Sequence, residues 1–315
     1  MSERTRRSAL KVMGSTIALA AVPGTVNAAS GWASASSPVQ TTLHDVEYAD
    51  TGAYAVGGGG DVVERTSNGW QKILDGGASG GGNDLLGSDV TDDGERLWFV
   101  GKSGEVGEYD VSTGSLTDRS NPLDSGNNFS DVAVTGNAGS ANVFATDQSG
   151  KIFYNFDNGT AGKWHSVTPG SGAALPAIDF FDLKDGHAID TNQKVFETTD
   201  GASWQAIGNN DAGVTFYGVD SDGFDDVWVC GGNGTVFHYD GANWTPTGLG
   251  NPALRDIEVT TDDGDGYAVG DGGAVFDLTS GTWSQDDTPT GANLKGVVRG
   301  STDIAVGAGG TIIEN

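Results

Sequence analysis

The sequence is poor in several residue types that particular functions require. A single cysteine cannot form an internal disulfide, and four scattered histidines make a multi-histidine metal centre a poor fit. Proline is scarce, with 8 in 315 residues, which excludes collagen-like and proline-rich disordered chains. Only 16 Lys and Arg stand against 43 Asp and Glu. The net charge of −27 would repel phosphate backbones and anionic membranes, so we predict that the chain does not bind nucleic acid.

Glycine and carboxylates are, by contrast, abundant. The 52 glycines are far above the usual share of roughly 7%, and the 27 aromatic residues suffice for a large core. The mature part of the chain, residues 29–315, has 42 acidic and 12 basic residues. This composition resembles that of proteins from salt-loving organisms, in which dense carboxylates keep the surface hydrated. An ordinary acidic secreted protein is the alternative.

The N-terminus has the pattern of an export signal. Arg6 and Arg7 are followed by Leu10 and Lys11, then by a mostly apolar run over residues 12–22 that is too short to span a membrane. This pattern resembles the twin-arginine signal, which exports folded proteins. We predict that residues 1–28 are removed after Ala28 and that a soluble monomer acts outside the cell or at its surface, without membrane insertion. A retained N-terminal helix is the alternative.

One apolar strand pattern recurs seven times in the rest of the chain, residues 29–315. It ends before a turn residue at a spacing of 37 to 46 residues, which suits one four-stranded propeller blade. The turn residues are Gly57, Gly101, Asp147, Asp190, Gly231, Gly270 and Gly307.

Three further strands per repeat follow from local patterns. A glycine-rich turn leads to a strand with period-two alternation, and a short turn then leads to an outer strand. The outer strand opens near a large apolar residue in six repeats: Trp70, Leu116, Trp164, Trp204, Trp244 and Trp283. The first strand of a repeat has two apolar residues three apart: Leu43 and Val46, Phe129 and Val132, Phe216 and Val219, Leu254 and Ile257, and Leu294 and Val297.

The two ends of the chain complement each other. The seventh repeat stops after three strands, whereas Trp32 lies 11 residues before Leu43, as Trp283 lies 11 before Leu294. Residues 31–39 should therefore pair onto the last blade and cover its edge. We predict an all-β fold, a single seven-bladed β-propeller of four-stranded antiparallel blades over 29–315.

The clearest repeat unit runs from Val227 to Tyr239 and continues with Asp240, Gly241 and Trp244. It resembles the repeats of secreted bacterial and archaeal β-propellers (WD40-, YVTN- or BNR-like) and is similar to photosystem II assembly factors and, more distantly, to Asp-box sialidases. The Asp-box normally has Trp five residues after Asp, whereas Asp240 and Trp244 are four apart. The resemblance implies a binding protein, with a sialidase-like polysaccharide hydrolase or lyase, or an assembly factor, as alternatives.

Candidate catalytic residues do not form a convincing set. Ser79 lies in a G-A-S-G-G pattern like a nucleophile elbow, but in a glycine-rich loop with no helix after it. Sialidase chemistry needs clustered arginines, yet only Arg255 and Arg299 fall on first strands. Acidic residues repeat at one place in the first strand (Asp45, Asp131 and Asp256), which favours bonding to backbone at the inner rim over catalysis.

Other candidate sites are modest. Neighbouring acids could hold Ca²⁺, although none has EF-hand spacing and solvated turns are the alternative: Asp220, Asp222, Asp262, Asp263 and Asp265. Four asparagines lie in glycosylation sequons: Asn128, Asn158, Asn233 and Asn243. Cys230 occupies a position filled elsewhere by valine, so we predict a buried thiol, and we interpret the four histidines (His44, His165, His187 and His238) as structural.

These observations predict an exported, non-catalytic propeller that uses no cofactor and binds a protein or glycan. Polar loops between an outer strand and the next first strand should open onto one face, together with the turns between second and third strands. We expect the binding surface there. The loops are 75–84, 120–128, 168–176 and 208–213.

Overall fold

The computed structural model describes residues 31–208, 212–261 and 264–315. In these ranges, 28 strands form seven four-stranded antiparallel sheets. Each sheet is one blade, and the blades are arranged in a ring around a central channel. The predicted all-β seven-bladed propeller is therefore confirmed.

Each blade has an inner strand at the channel, followed by a second, a third and an outer strand. The inner strands are β2 (Leu43–Ala49), β6 (Leu85–Val90), β10 (Phe129–Thr135), β14 (Ala177–Phe180), β18 (Phe216–Gly223), β22 (Leu254–Val259) and β26 (Leu294–Val298). The second strands are β3 (Gly52–Gly57), β7 (Arg96–Gly101), β11 (Asn142–Asp147), β15 (Gly186–Ile189), β19 (Asp226–Gly231), β23 (Asp265–Gly270) and β27 (Ile304–Gly307).

The remaining strands complete each blade toward the rim. The third strands are β4 (Val62–Thr66), β8 (Val106–Asp110), β12 (Ile152–Asn155), β16 (Val195–Thr198), β20 (Thr235–Tyr239), β24 (Val275–Thr279) and β28 (Thr311–Glu314). The outer strands are β5 (Gly69–Leu74), β9 (Leu116–Asp118), β13 (His165–Val167), β17 (Gln205–Ala206), β21 (Trp244–Gly248), β25 (Thr282–Gln285) and, in the seventh blade, β1 (Ala33–Ser34).

The start of the described chain closes the ring. Strand β1 pairs antiparallel with β28, with Ala33 opposite Glu314. Trp32 is 6% exposed, and its indole lies edge-on to Tyr267 with ring centroids 5.2 Å apart. Its Nε1 donates to Asp286 Oδ2 at 3.1 Å. The predicted pairing of the N-terminal strand onto the last blade is thus confirmed.

Single 3₁₀ turns join second to third strands in five blades. They are Gly58–Gly60, Lys102–Gly104, Gly232–Gly234, Asp271–Gly273 and Ala308–Gly310, and a sixth 3₁₀ turn, Pro122–Asp124, lies between β9 and β10. Gly60 has φ +77°, and a Cβ there would lie 2.2 Å from the backbone nitrogen of Gly77. Only glycine fits such a turn, which accounts for part of the glycine excess.

The core lies between neighbouring blades. Between the seventh and first blades, for example, Leu43 and Val46 pack with Trp70, Ile304 and Ile312, and all five are buried. Each blade buries both faces of its inner half in this way, so the repeating apolar strands form one continuous ring of contacts.

Loops and turns divide the surface into two faces. The turn face has the turns between second and third strands and the loops from each outer strand to the next inner strand. Gly76 N donates to Gly59 O at 3.2 Å, and Gly104 N donates to Asn127 O at 2.7 Å, so loops 75–84 and 120–128 cover neighbouring turns. The opposite face, here the hairpin face, has the turns between first and second and between third and outer strands.

The surface charge predicts a salt requirement. Residues 29–315 contain 42 acidic and 12 basic residues, so most carboxylates repel one another. We expect the melting temperature of the mature protein to rise by several degrees or more from dilute buffer to about 1 M KCl, where the Debye length falls to about 3 Å. A melting series measures this. A temperature that stays flat or falls would contradict it, and equal concentrations of sucrose serve as a control for solute effects.

Candidate binding site at the channel mouth

A bulge begins the inner strand in six blades. The pairing with the second strand shifts register after the first apolar residue, as between Leu294 and Gly296 or between Leu43 and Asp45. Such a shift inserts one extra residue and re-aims its side chain. The six extra residues form what we call the bulge ring, at the channel mouth on the turn face: His44, Leu86, Ser130, Tyr217, Arg255 and Lys295. All six side chains are half-buried.

Arg255 is the most firmly held member of the bulge ring. Its Nε and Nη2 donate to the two carboxylate oxygens of Asp271 at 3.0 and 2.7 Å. Its guanidinium carbon lies 4.4 Å from the centroid of the Tyr217 ring. The bidentate pair raises the pKa of Arg255 and lowers the pKa of Asp271. Arg255 is therefore a pre-oriented cation on an aromatic support.

Lys295 differs because it forms no hydrogen bond or ion pair with any described residue. Burial and the charge of Arg255 lower its pKa, against the opposite effect of Asp271. Burial also lowers the pKa of His44, the bulge-ring residue of the first blade. The charge of Asp84 opposes this shift, whereas Lys295 and Lys102 lower the pKa further. Asp84 itself is bound by Lys102 Nζ at 2.7 Å. The mouth thus groups cations in a chain that has few of them.

The predicted inner-rim acids bond to backbone, as the sequence indicated. Asp45 Oδ2 accepts from Ser88 N of the next blade at 2.7 Å. Asp131 reaches Ile178 N at 3.0 Å, and Asp256 reaches Val297 N at 2.8 Å. The second oxygen of each binds the amide that follows it in its own strand. Each carboxylate therefore clamps two blades together.

A second set of clamp carboxylates lies two residues further along the inner strands, and the sequence-based predictions did not include it. Asp89 accepts from Val134 N at 2.6 Å, Asp179 from Ser221 N at 2.8 Å, and Asp220 from Val259 N at 3.1 Å. The sequence signal for them is an acidic residue two positions after the place that Asp45, Asp131 and Asp256 occupy in their repeats. The clamps join six consecutive blade pairs, from blades one and two to blades six and seven.

The calcium candidates separate in the structure. Asp220 is 2% exposed and serves as a clamp, Asp222 is half-buried and Asp265 is exposed. Asp262 and Asp263 lie outside the described residues. Among the residues that are described, no group of three or more His, Cys, Asp or Glu side chains is arranged to hold a metal ion.

The arginines are dispersed. Arg255 lies at the turn-face end of β22, whereas Arg299 follows the other end of β26, with its guanidinium 5.6 Å from the Tyr267 ring. The other three each bind a carboxylate away from the inner strands: Arg65 with Glu314, Arg96 with Asp110, and Arg119 with Glu108. Three converging guanidinium groups, as a sialidase-like site would need, do not occur in the described part of the chain.

Ser79 has no nucleophile geometry. It lies in loop 75–84, and both its backbone N–H and its hydroxyl donate to the Glu105 carboxylate. No described histidine is hydrogen-bonded to it, and no helix follows it, so the oxyanion hole of an elbow is missing.

The sequon asparagines differ in accessibility. Asn128, Asn233 and Asn243 are exposed. Asn158 is half-buried at φ +48°, and its Nδ2 donates to Glu108 Oε1 at 3.3 Å. Asn158 is therefore the least accessible of the four sequon asparagines.

The thiol and the histidines have mixed surroundings. Cys230 is fully buried, and burial raises its pKa well above the ordinary value. His187 is also buried, with Nδ1 2.7 Å from Ser221 Oγ. His165 and His238 stack on Tyr154 and Trp228. Only His44 lies at the channel mouth.

Two sequence predictions concern residues outside the described ranges 31–208, 212–261 and 264–315. The signal, with Arg6, Arg7 and Ala28, lies outside the described residues, as do 209–211 of loop 208–213. Within the described ranges we find no helix whose length and apolarity would let it traverse a bilayer.

The fold and the mouth define the class: a seven-bladed propeller with clamped blades and a half-buried cationic group at one end of its channel. No family model matches the chain, and no curated protein matches it. Solved structures do match. YCF48 from Cyanidioschyzon merolae is 16% identical, with a TM-score of 0.71 over 90% of this chain and 98% of that one.

Two other kinds of propeller are as similar. The WD40 domain of Doa1 is 13% identical, with a TM-score of 0.71 over 90% of this chain and 95% of that one. Virginiamycin B lyase from Staphylococcus aureus, solved with quinupristin, is 12% identical, with a TM-score of 0.73 over 90% and 98%. At these identities the likeness extends to the fold alone.

Proposed function

We propose that this chain is an exported, non-catalytic β-propeller that binds a protein partner through its turn face. The observation that carries the proposal is the bulge ring, which places half-buried Tyr217, Arg255, Lys295 and His44 at the open end of the channel. Aromatic and arginine side chains of this kind are typical anchors of protein interfaces.

The chemistry of the channel supports binding over catalysis. The rim carboxylates accept backbone hydrogen bonds in pairs, so their oxygens are occupied instead of being free to serve as an acid and a base. A solved YCF48 structure holds a D1 peptide, which supports a peptide-binding role for propellers of this shape. The glycine-rich loops of the turn face supply adaptable backbone around the mouth.

Export and monomeric state belong to the same proposal. The twin-arginine-like segment supports export after folding. The strong negative charge of residues 29–315 opposes association of two identical copies, which supports a monomer.

Site-specific crosslinking tests the surface. A photoreactive phenylalanine derivative at Gln148, exposed in the turn between β11 and β12, is expected to crosslink a partner in the extracellular fraction of the source cells. The same group at Ser67, exposed in the turn between β4 and β5 on the hairpin face, is the matched control. Equal labelling from both positions, or none from Gln148, would contradict binding through the turn face.

An enzyme assay tests the other half of the proposal. If the mature protein shows a hydrolase or lyase activity that Arg255→Gln abolishes while the melting curve is unchanged, the chain is an enzyme and the binding proposal is wrong. We expect no such activity.

A further inference from the structure

The second residue of β26 is a lysine with an unusual environment. Lys295 is half-buried between the buried Leu294 and Gly296, and it has no carboxylate or carbonyl partner among the described residues. Four of the five described arginines (Arg65, Arg96, Arg119 and Arg255) are paired, and Lys72 and Lys102 are paired as well. In a chain with 42 carboxylates in residues 29–315, a partly desolvated cation left without an anion is unexpected.

The absence of an acid at the position after Lys295 in the strand has a local cause. In the first, third and sixth blades, the residue after the bulge is Asp45, Asp131 or Asp256, whereas in the seventh it is Gly296. A Cβ at Gly296 would approach the Cα of Asp45 to 2.9 Å, so the first blade leaves no room for a side chain there. The seventh blade therefore contributes a cation to the rim without a carboxylate of its own.

The carboxylates Asp271 and Asp84 near Lys295 are bound to other cations. Arg255, one blade before it, already shares its charge with Asp271 through two hydrogen bonds. His44, one blade after it, has a pKa below its ordinary value because of burial, so it is neutral around pH 7. Asp84, the acid beside His44, is bound by Lys102. Among the described residues, no carboxylate forms a hydrogen bond or ion pair with Lys295, so its ammonium is left open to a ligand at the mouth.

We propose that Lys295, flanked by Arg255, is the subsite for a carboxylate group of the ligand. This assignment rests on the proposed function, because it names the chemistry recognised at the same mouth. The unpaired ammonium of Lys295 can form one ion pair, which matches the single charge of a carboxylate. A phosphate dianion would bring a second charge into the field of a highly acidic protein, so it fits less well. The fixed guanidinium of Arg255 can offer a further N–H beside the ammonium.

Calorimetric titration of the mature protein with small probes tests the subsite. We expect N-acetylglycine to bind and its neutral amide, N-acetylglycinamide, not to bind at one fixed KCl concentration. Lys295→Gln should weaken binding of N-acetylglycine at least tenfold, and Lys295→Arg should restore most of it. Lys163→Gln, which removes an exposed lysine from the loop between β12 and β13 on the hairpin face and changes the net charge equally, should leave binding unchanged.

Each alternative outcome overturns the assignment. Tighter binding of inorganic phosphate than of N-acetylglycine would show that the site selects a different anion. An equal effect of Lys163→Gln would show that only bulk charge matters. Failure of wild type to bind any carboxylate, with crosslinking from Gln148 intact, would refute the carboxylate subsite and leave the protein-binding function standing. The melting temperature of Lys295→Gln reports folding, and it should not fall, since this variant removes an unpaired, half-buried charge.

Discussion

A mature chain that lacks residues 29–40 is expected to unfold at a markedly lower temperature and denaturant concentration than the intact protein. The deletion removes β1, exposes the edge of β28 and leaves Tyr267 without the indole of Trp32. It also uncovers Glu314, which Arg65 and Trp70 of the first blade bind with hydrogen bonds of 2.8 to 3.0 Å. The contact between the last and first blades is then weakened from both sides.

The single substitution Trp32→Ala isolates the packing part of this effect. Because Trp32 is 6% exposed, we expect a loss of about 3 to 5 kcal/mol in the free energy of unfolding, as for a buried aromatic residue. Ser36→Ala, an exposed change four residues later, should have almost no effect. Urea unfolding at fixed salt measures all three variants. Unchanged midpoints in the deletion and in Trp32→Ala would show that the N-terminal segment is a free tail.

Removing one clamp carboxylate is expected to destabilise the whole ring. In Asp179→Ala, the backbone N–H groups of Phe180 and Ser221 both lose their acceptor in a buried environment. An unsatisfied buried donor costs about 1 to 3 kcal/mol, so we expect a loss of about 2 to 5 kcal/mol. Asp131→Ala and Asp256→Ala should act in the same direction and by less, because these side chains are half-buried.

Charge provides the control for the clamp series. Asp157→Ala removes an exposed carboxylate from the loop between β12 and β13, so it changes the net charge equally without removing a clamp. Losing one of many repelling carboxylates should leave stability unchanged or raise it slightly. The clamp role would be refuted if Asp179→Ala and Asp157→Ala had the same unfolding midpoint.

The repeat pattern also contains a signal for the bulges of the inner strands, which the sequence-based predictions did not include. Leu43 and Val46 are both buried in β2, yet they are three residues apart, which breaks the period-two alternation of a regular strand. This spacing is the signal of a bulge, and it recurs in the other inner strands. Aligning the repeats on it would have marked His44, Tyr217, Arg255 and Lys295 as equivalent positions.

The sequence by itself determined the number of blades, the four strands in each blade and the closure by Trp32, since these depend on turns and alternation within about 40 residues. It also indicated the backbone role of Asp45, Asp131 and Asp256. Only the tertiary structure decided which side chains meet at the mouth. Tyr217, Arg255, Lys295 and His44 come from four successive blades, and the last two are joined only when the ring closes. Their proximity depends on inter-blade packing and strand register, which the local periodicity of a sequence does not specify.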